Sequence, residues 1–278
     1  MQIKPNFLCI GAQKAGTSWL WVVLKQHPEI WMPPFKELHY FDHKFIESNR
    51  KWTLGHLHKG VKDGLKWHVR SDKIDLRYFR YLISIALDDP FTEEWYFRCF
   101  DRPMAKNRTI GDITPEYSTL PREGLKYVKE LLGEELKLIY IIRKPIDRAL
   151  SQVKMNLSRR GFENIDLKHW LSEAKNEEIL QRGDYKTYIK NWEDEFGTEN
   201  ILYLPFKLIK KKPKELLKSV EDHLKISNFS GYSGLSEKVH AGNQIRVPRK
   251  VREYIRQATS EQMNFLEEKF GSKFCKEI

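Results

Sequence analysis

Phe7-Leu8-Cys9-Ile10 is a short apolar run closed by Gly11, and helix-compatible residues follow at 17–26 after a glycine-bearing loop. The pattern predicts strand, loop, helix. Residues 136–143 are nearly continuously apolar and rich in isoleucine, as expected of a strand covered on both faces of a parallel sheet. Lys144-Pro145 ends that run, and Pro145 suits the first turn of a helix through Ser151. A third core strand is predicted over 201–206, preceded by a helix over about 185–196 and followed by one over about 213–224; 109–113 is a further strand. Residues 247–270 read as one or two amphipathic helices. Strands and helices alternating in this way predict an α/β fold with a parallel sheet flanked by helices. Residues 44–108 break the alternation and predict a helical insertion, crowded with His56, His58, His68, Trp67 and Trp95, where an acceptor site could be built.

Composition narrows the class. A chain of 278 residues, 31% charged and 40% hydrophobic, suits one folded domain over 1–278. Aromatic residues make up 13%, including 8 Trp, and aromatics outside a core line clefts for flat or sugar-like ligands. The formal charge of +11 points to an anionic partner without choosing among nucleic acid, membrane, phosphorylated nucleotide and acidic glycan. Cys9, Cys99 and Cys275 form no CxxC pair and no zinc spacing, which favours a reducing compartment. No apolar run approaches the ~20 residues of a membrane span and no signal-peptide core follows Met1, so a cytoplasmic location is expected. The histidines of 44–108 do not form HExxH, and no metal is expected.

The loop Gly11-Ala12-Gln13-Lys14-Ala15-Gly16-Thr17-Ser18 lies between strand and helix, where small residues let backbone N–H groups approach an anion and the helix start adds unpaired donors. Gly11 and Gly16 have the spacing of a nucleoside triphosphatase loop, but Thr17 stands where that loop has its lysine, which has moved back to Lys14. That shift disfavours a small-molecule P-loop kinase. Lys14-Ala15-Gly16-Thr17-Ser18 after a strand instead resembles the 5′-phosphosulfate loop of the sulfotransferases that use 3′-phosphoadenosine 5′-phosphosulfate (PAPS). The stretch from Arg143 to Ser151 resembles that family's 3′-phosphate element, in which a strand-ending arginine and a serine eight residues later grip the phosphate. Arg148, between them, is expected at the surface or in a salt bridge.

Lys36-Glu37-Leu38-His39-Tyr40-Phe41-Asp42 resembles the K-E-x-H-[FY]-F-D segment of the heparan-sulfate-type branch. The resemblance implies a P-loop-type parallel sheet and in-line transfer of a sulfuryl group to a hydroxyl or amine, releasing adenosine 3′,5′-bisphosphate without a metal. It implies Glu37 as the base that takes the acceptor's proton, Lys14 as the cation beside the bridging oxygen, and His39 as a supporting catalytic residue that serves as base in place of Glu37 in the alternative. Donor contacts are implied for Lys14, Ala15, Gly16, Thr17, Ser18, Trp19, Arg143 and Ser151, and for Asn243 and Arg246 in a late loop that departs from the cytosolic branch's form. Lys36, Asp42, Thr114, Tyr117 and Tyr185 fall on the acceptor side. The acceptor is left open among saccharide, lipid and small molecule. A basic nucleic-acid-binding protein is the alternative of another class, although no recognition-helix signature supports it, and nucleic acid is not expected as a partner.

Overall fold

A computed structural model describes residues 3–70, 74–161, 165–237 and 245–278. Its centre is β1 (Phe7–Gly11), every residue of which is buried. The chain then turns through the glycine-bearing loop into α1 (Thr17–Leu24). A two-residue strand, β2 (Ile30–Trp31), leads to α2 (Tyr40–Phe45) and the long α3 (Glu47–Val69). Two further helices, α4 (Leu76–Leu87) and α5 (Glu93–Arg98), start where the side chains of Asp75 and Thr92 accept first-turn N–H groups. The segment expected as a helical insertion is therefore helical, with α3 packed on α4.

Next come β3 (Thr109–Ile113) and α6 (Arg122–Leu132), whose Leu125, Val128 and Leu132 point inward. β4 (Lys137–Ile142) passes into α7 (Pro145–Arg159), with proline in the first turn, where its missing N–H costs nothing. Asp166 caps α8 (Leu167–Ala174), Asn176 caps α9 (Glu177–Gln181) and Asp184 caps α10 (Tyr185–Phe196). After β5 (Ile201–Pro205) come α11 (Leu208–Lys211), α12 (Pro213–Leu224), α13 (Arg249–Ala258) and α14 (Ser260–Cys275).

The five strands are parallel in the order β2-β3-β1-β4-β5. Connections diverge from β1, with β3 on one side and β4 on the other, and ligands of open parallel sheets bind outside the carboxyl ends of strands at such a divergence. Register makes Phe7 face Gly111, and a Cβ at Gly111 would lie only 2.1 Å from the Phe7 ring. One core cluster surrounds the sheet; a second, built from Ala149, Leu150, Val153, Trp170, Ile179, Val251 and Ile255, ties α7, α8, α9 and α13 together. Arg148 belongs to this interior, contrary to the expectation of an exposed or salt-bridged residue. It is 1% exposed and donates to Gln152 Oε1 at 2.7 Å and to the Ile179 carbonyl, because its position on α7 faces α9 and not solvent. Among the described residues, no helix is long and apolar enough to cross a membrane.

Candidate active site

Three segments meet in one place: the loops that leave the carboxyl ends of β1 and β4, and a stretch after β2 that is tied to the carboxyl end of β3. From β1 comes the loop at 11–16, in which Lys14 (φ 69°) and Gly16 (φ 89°) are left-handed. A Cβ on Gly16 would also lie 2.4 Å from the Ile209 side chain, so glycine answers both the turn and the crowding. α1 begins at Thr17, and the N–H groups of a first turn have no partner within their own helix.

Arg143, just past β4, donates from Nη1 to the Lys14 carbonyl at 2.5 Å, and its guanidinium lies 4.5 Å from the centre of the Phe206 ring. The two cationic segments are thus one surface. Arg143 Nε is buried with no hydrogen-bond partner, a donor awaiting an acceptor. Burial depresses the Lys14 pKa, and the cations Arg159, Arg143 and Lys36 depress it further, with Glu37 opposing. Like charges gathered this way favour an incoming anion. α7 contributes Ser151, half-buried and eight residues after Arg143, and Met155, whose sulfur lies 3.2 Å from Lys14 Nζ.

The third segment is 36–42. It is stitched to the end of β3 by three main-chain donors: Glu37 N–H to the Ile113 carbonyl (3.1 Å), Leu38 N–H to Thr114 Oγ1 (3.1 Å) and Tyr40 N–H to the Tyr117 hydroxyl (3.2 Å). Glu37 (φ 67°) and His39 (φ 56°) are both left-handed, a conformation that costs free energy in residues with a Cβ and persists where surrounding bonds impose it. Lys36 Nζ reaches Thr17 Oγ1 and Ser18 Oγ, both at 3.1 Å, and pairs with Glu37 Oε1. Burial raises the Glu37 pKa, but Lys36, His39 and His56 outweigh it and hold the carboxyl well below its ordinary range. His39 is 3% exposed. Burial lowers its pKa, yet Asp42 and Glu37 overcome that and push it up to about 10.

Several expected ligand contacts turn inward. Thr114 and Tyr117 are fully buried and give their hydroxyl protons to Asp112, at 2.7 and 2.9 Å; they hold the 36–42 segment and do not line a cleft. Tyr185 is fully buried too, its hydroxyl donating to the Arg143 carbonyl at 3.0 Å and accepting from the Arg143 N–H at 3.3 Å, so it braces the arginine from behind. Asp42 is fully buried between His39 Nδ1 (3.0 Å) and Asn49 Nδ2 (2.9 Å) and orients the imidazole. Trp19 is 5% exposed and spends its indole N–H on the Leu235 carbonyl at 3.1 Å, and the Ala15 residue of the loop is itself fully buried. Motif spacing reports which residues recur together; it does not report which way each points.

Arg246 is exposed and lies in a basic groove of about 700 Å³ with Lys154, Arg249 and Arg252. Asn243 falls outside the described residues. Three residues, Gln13, Arg182 and His56, take roles that the sequence reading did not give them. Gln13 Nε2 donates to Glu116 at 3.1 Å, and Arg182 pairs with the same carboxylate at 2.6 Å, bracing the loop from the β3 side. His56 of α3, expected only as one of a crowded set on the acceptor-side insertion, stands 3.6 Å from Glu37; its pairing with a residue 19 positions away gave no signal. Asp112 is the carboxylate on the neighbouring strand that a kinase reading would need for magnesium. It is 2% exposed and accepts from Thr114, Tyr117 and Tyr96, which leaves it unsuited to a metal–phosphate complex.

Comparison with known proteins finds a matching family model and several similar chains. A family model described as "Sulfotransferase family" matches residues 5–230. The chain is 23% identical over 245 residues to the bifunctional heparan sulfate N-deacetylase/N-sulfotransferase 1 of Xenopus laevis, a match covering 82% of this chain and 23% of that protein. It is 24% identical over 226 residues to the human heparan sulfate glucosamine 3-O-sulfotransferase 3B1, covering 79% and 46% respectively. The chain therefore spans less than half the length of these curated relatives. Among solved structures, a sulfotransferase from Alicyclobacillus acidocaldarius superposes with a TM-score of 0.67 at 22% identity, covering 96% of this chain and 95% of that one. The sulfotransferase domain of the Synechococcus PCC 7002 olefin synthase superposes with a TM-score of 0.58 at 17% identity, covering 95% and 94%.

Proposed function

The chain belongs to the sulfotransferase family, and from that premise we propose that it transfers a sulfuryl group from PAPS to a hydroxyl or amine of an acceptor, with Glu37 as base. The observation that carries the reading is the joining of two anion grips: Arg143 bonds the main chain of Lys14 at 2.5 Å while its own buried Nε has no partner. One nucleotide bearing phosphates at both ends would answer both. Lys14, Thr17, Ser18 and the first-turn N–H groups of α1 hold the 5′ end, with Ala15 and Gly16 allowing close approach. Arg143 and Ser151 hold the 3′-phosphate, with Arg246 as a further donor contact.

The donor supplies a sulfuryl group whose bond to the bridging oxygen breaks as the acceptor's bond to sulfur forms, leaving adenosine 3′,5′-bisphosphate. Lys14 places its ammonium where charge grows on the bridging oxygen. Glu37 accepts the acceptor's proton, which must leave as the new bond forms. Lys36 bridges the two halves, touching Thr17 and Ser18 on one side and Glu37 on the other. An anion seated in the loop draws the Lys36 ammonium toward itself and frees the carboxylate to act as a base, so that proton acceptance is coupled to donor binding. Asp42 and His39 keep Glu37 aligned. A sulfuryl group carries less charge than a phosphoryl group, so fixed cations suffice in this scheme.

The acceptor class we favour is a saccharide, on the names of the relatives and on the exposed Trp52 and part-exposed His56 of α3 beside Glu37. The test is transfer of radiolabelled sulfate from PAPS to polysaccharide, glycolipid and phenolic acceptors, with magnesium–ATP as the competing donor. Sulfate incorporation supports the reading; ATP turnover without sulfate transfer refutes it.

A further inference from the structure

The two oxygens of Glu37 have different surroundings. Oε1 is taken by Lys36, while Oε2 faces two imidazole nitrogens, His56 Nε2 at 3.6 Å and His39 Nε2 at 3.8 Å. One ligand atom from each of the three residues lies within 4.8 Å of the other two. His39 Nε2 is buried and makes no hydrogen bond. Its ring partner, Nδ1, is bonded at 3.0 Å to Asp42, which is itself held by Asn49 at 2.9 Å.

That chain of contacts has a known physical use. A carboxylate on one imidazole nitrogen fixes the tautomer and aims the lone pair of the other, which is how ligating histidines are held around metal ions. With Nδ1–H hydrogen-bonded to Asp42, Nε2 faces Glu37 and His56, and an ion that binds there displaces the Nε2 proton. A tetrahedral zinc with bonds of ~2.0–2.2 Å sets its ligand atoms ~3.3 Å apart, so the two carboxylate–imidazole spacings need to contract by roughly half an ångström or less and the imidazole–imidazole edge, within 4.8 Å, by up to ~1.5 Å, which a rotation of the part-exposed Glu37 and His56 side chains supplies. Trp52 packs edge-on against His39, ring centres 4.7 Å apart, and walls the cluster. Glu37 is 23% and His56 33% exposed, which leaves an open side for entry and for a fourth ligand.

We propose that Glu37, His39 and His56 form a binding site for one divalent transition ion, with zinc as the representative, ligated through Oε2 and the two Nε2 atoms. A bound ion takes the lone pairs Glu37 needs to accept a proton, so metal and sulfuryl transfer exclude one another. This second statement rests on the reading of Glu37 as base; the site itself does not.

The experiment titrates the chelator-treated full chain with cobalt(II), following its visible d–d absorption, and measures zinc stoichiometry by equilibrium dialysis. One ion per chain is expected, with affinity falling at least ~10-fold in His56→Ala and in Asn49→Ala, the latter through loss of the contact behind His39. His56 lies on a part-exposed face of α3, so its variant keeps the test decisive if His39→Ala fails to fold. No cobalt band, or a band unaltered by His56→Ala and His39→Ala, overturns the site. Zinc inhibition of sulfate transfer that is weakened at least ~10-fold in His56→Ala supports both statements. A band lost in His56→Ala with transfer indifferent to zinc supports the site and counts against Glu37 as base.

Discussion

The guanidinium of Arg143 and the main-chain carbonyl of Lys14 are 2.5 Å apart, although 129 residues separate them in the chain. This bond joins the end of β4 to the loop after β1 in one cationic surface, and Tyr185 holds the arginine's main chain from the other side. A hydrogen bond involving a charged group contributes ~1.5–3 kcal/mol, so Arg143→Ala is expected to weaken adenosine 3′,5′-bisphosphate binding by ~10- to 100-fold in calorimetric titration. Adenosine 5′-monophosphate, which lacks the 3′-phosphate, should lose much less. Equal losses for the two nucleotides would mean that Arg143 only shapes the loop.

Glu37→Gln keeps the size of the side chain and removes its ability to take a proton. Turnover should fall by ~10²- to 10⁴-fold, the range of a lost general base, while adenosine 3′,5′-bisphosphate binding stays nearly unchanged. Unchanged turnover would transfer the role to His39 or to water; lost nucleotide binding would make Glu37 a structural residue.

β1, β4 and β5 were legible because they are nearly continuously apolar and bounded by clear stops. Residues 109–113 match β3, and the ranges 185–196 and 213–224 coincide with α10 and α12, where Asp184 caps one helix and Pro213 opens the other. β2 was not legible, since two residues carry no period. α6 follows Pro121 without a side-chain cap, so its start carries no polar mark. The site was legible only as a set of segments. That Lys14, Glu37 and Arg143 converge follows from strand order; that Thr114, Tyr117 and Tyr185 face inward depends on packing that spacing does not encode. The pairing of His39 with His56 needs α3 folded back across the 36–42 segment.

Lys36 gives a pH signature. After burial, which acts in the opposite direction, it is the largest influence on the Glu37 carboxyl and holds its pKa down. Removing the cation in Lys36→Ala lets that pKa rise. The acidic limb of kcat/KM, which reports the free enzyme's base, should therefore move to higher pH in the variant, with activity lost at pH values where the parent still works. A limb at the same pH in both proteins would show that Lys36 does not control the base.

His39 links the site to stability. Its pKa is raised from 6.5 to about 10 in the folded chain, where burial lowers it and Asp42 and Glu37 more than compensate. For a histidine whose folded pKa lies above its unfolded one, the folded state binds more protons between the two values. The stabilisation is complete below pH 6.5 and is lost as pH rises through about 10. Each tenfold change in proton affinity is worth ~1.4 kcal/mol, so the decline across the window is on the order of a few kcal/mol at most. Asp42→Asn removes the larger of the two attractions, which lowers the folded pKa and moves the loss to lower pH; His39→Gln should flatten the slope in this window. Urea unfolding followed from neutral to alkaline pH distinguishes these outcomes, and a parent slope that survives His39→Gln would assign the alkaline loss to another group.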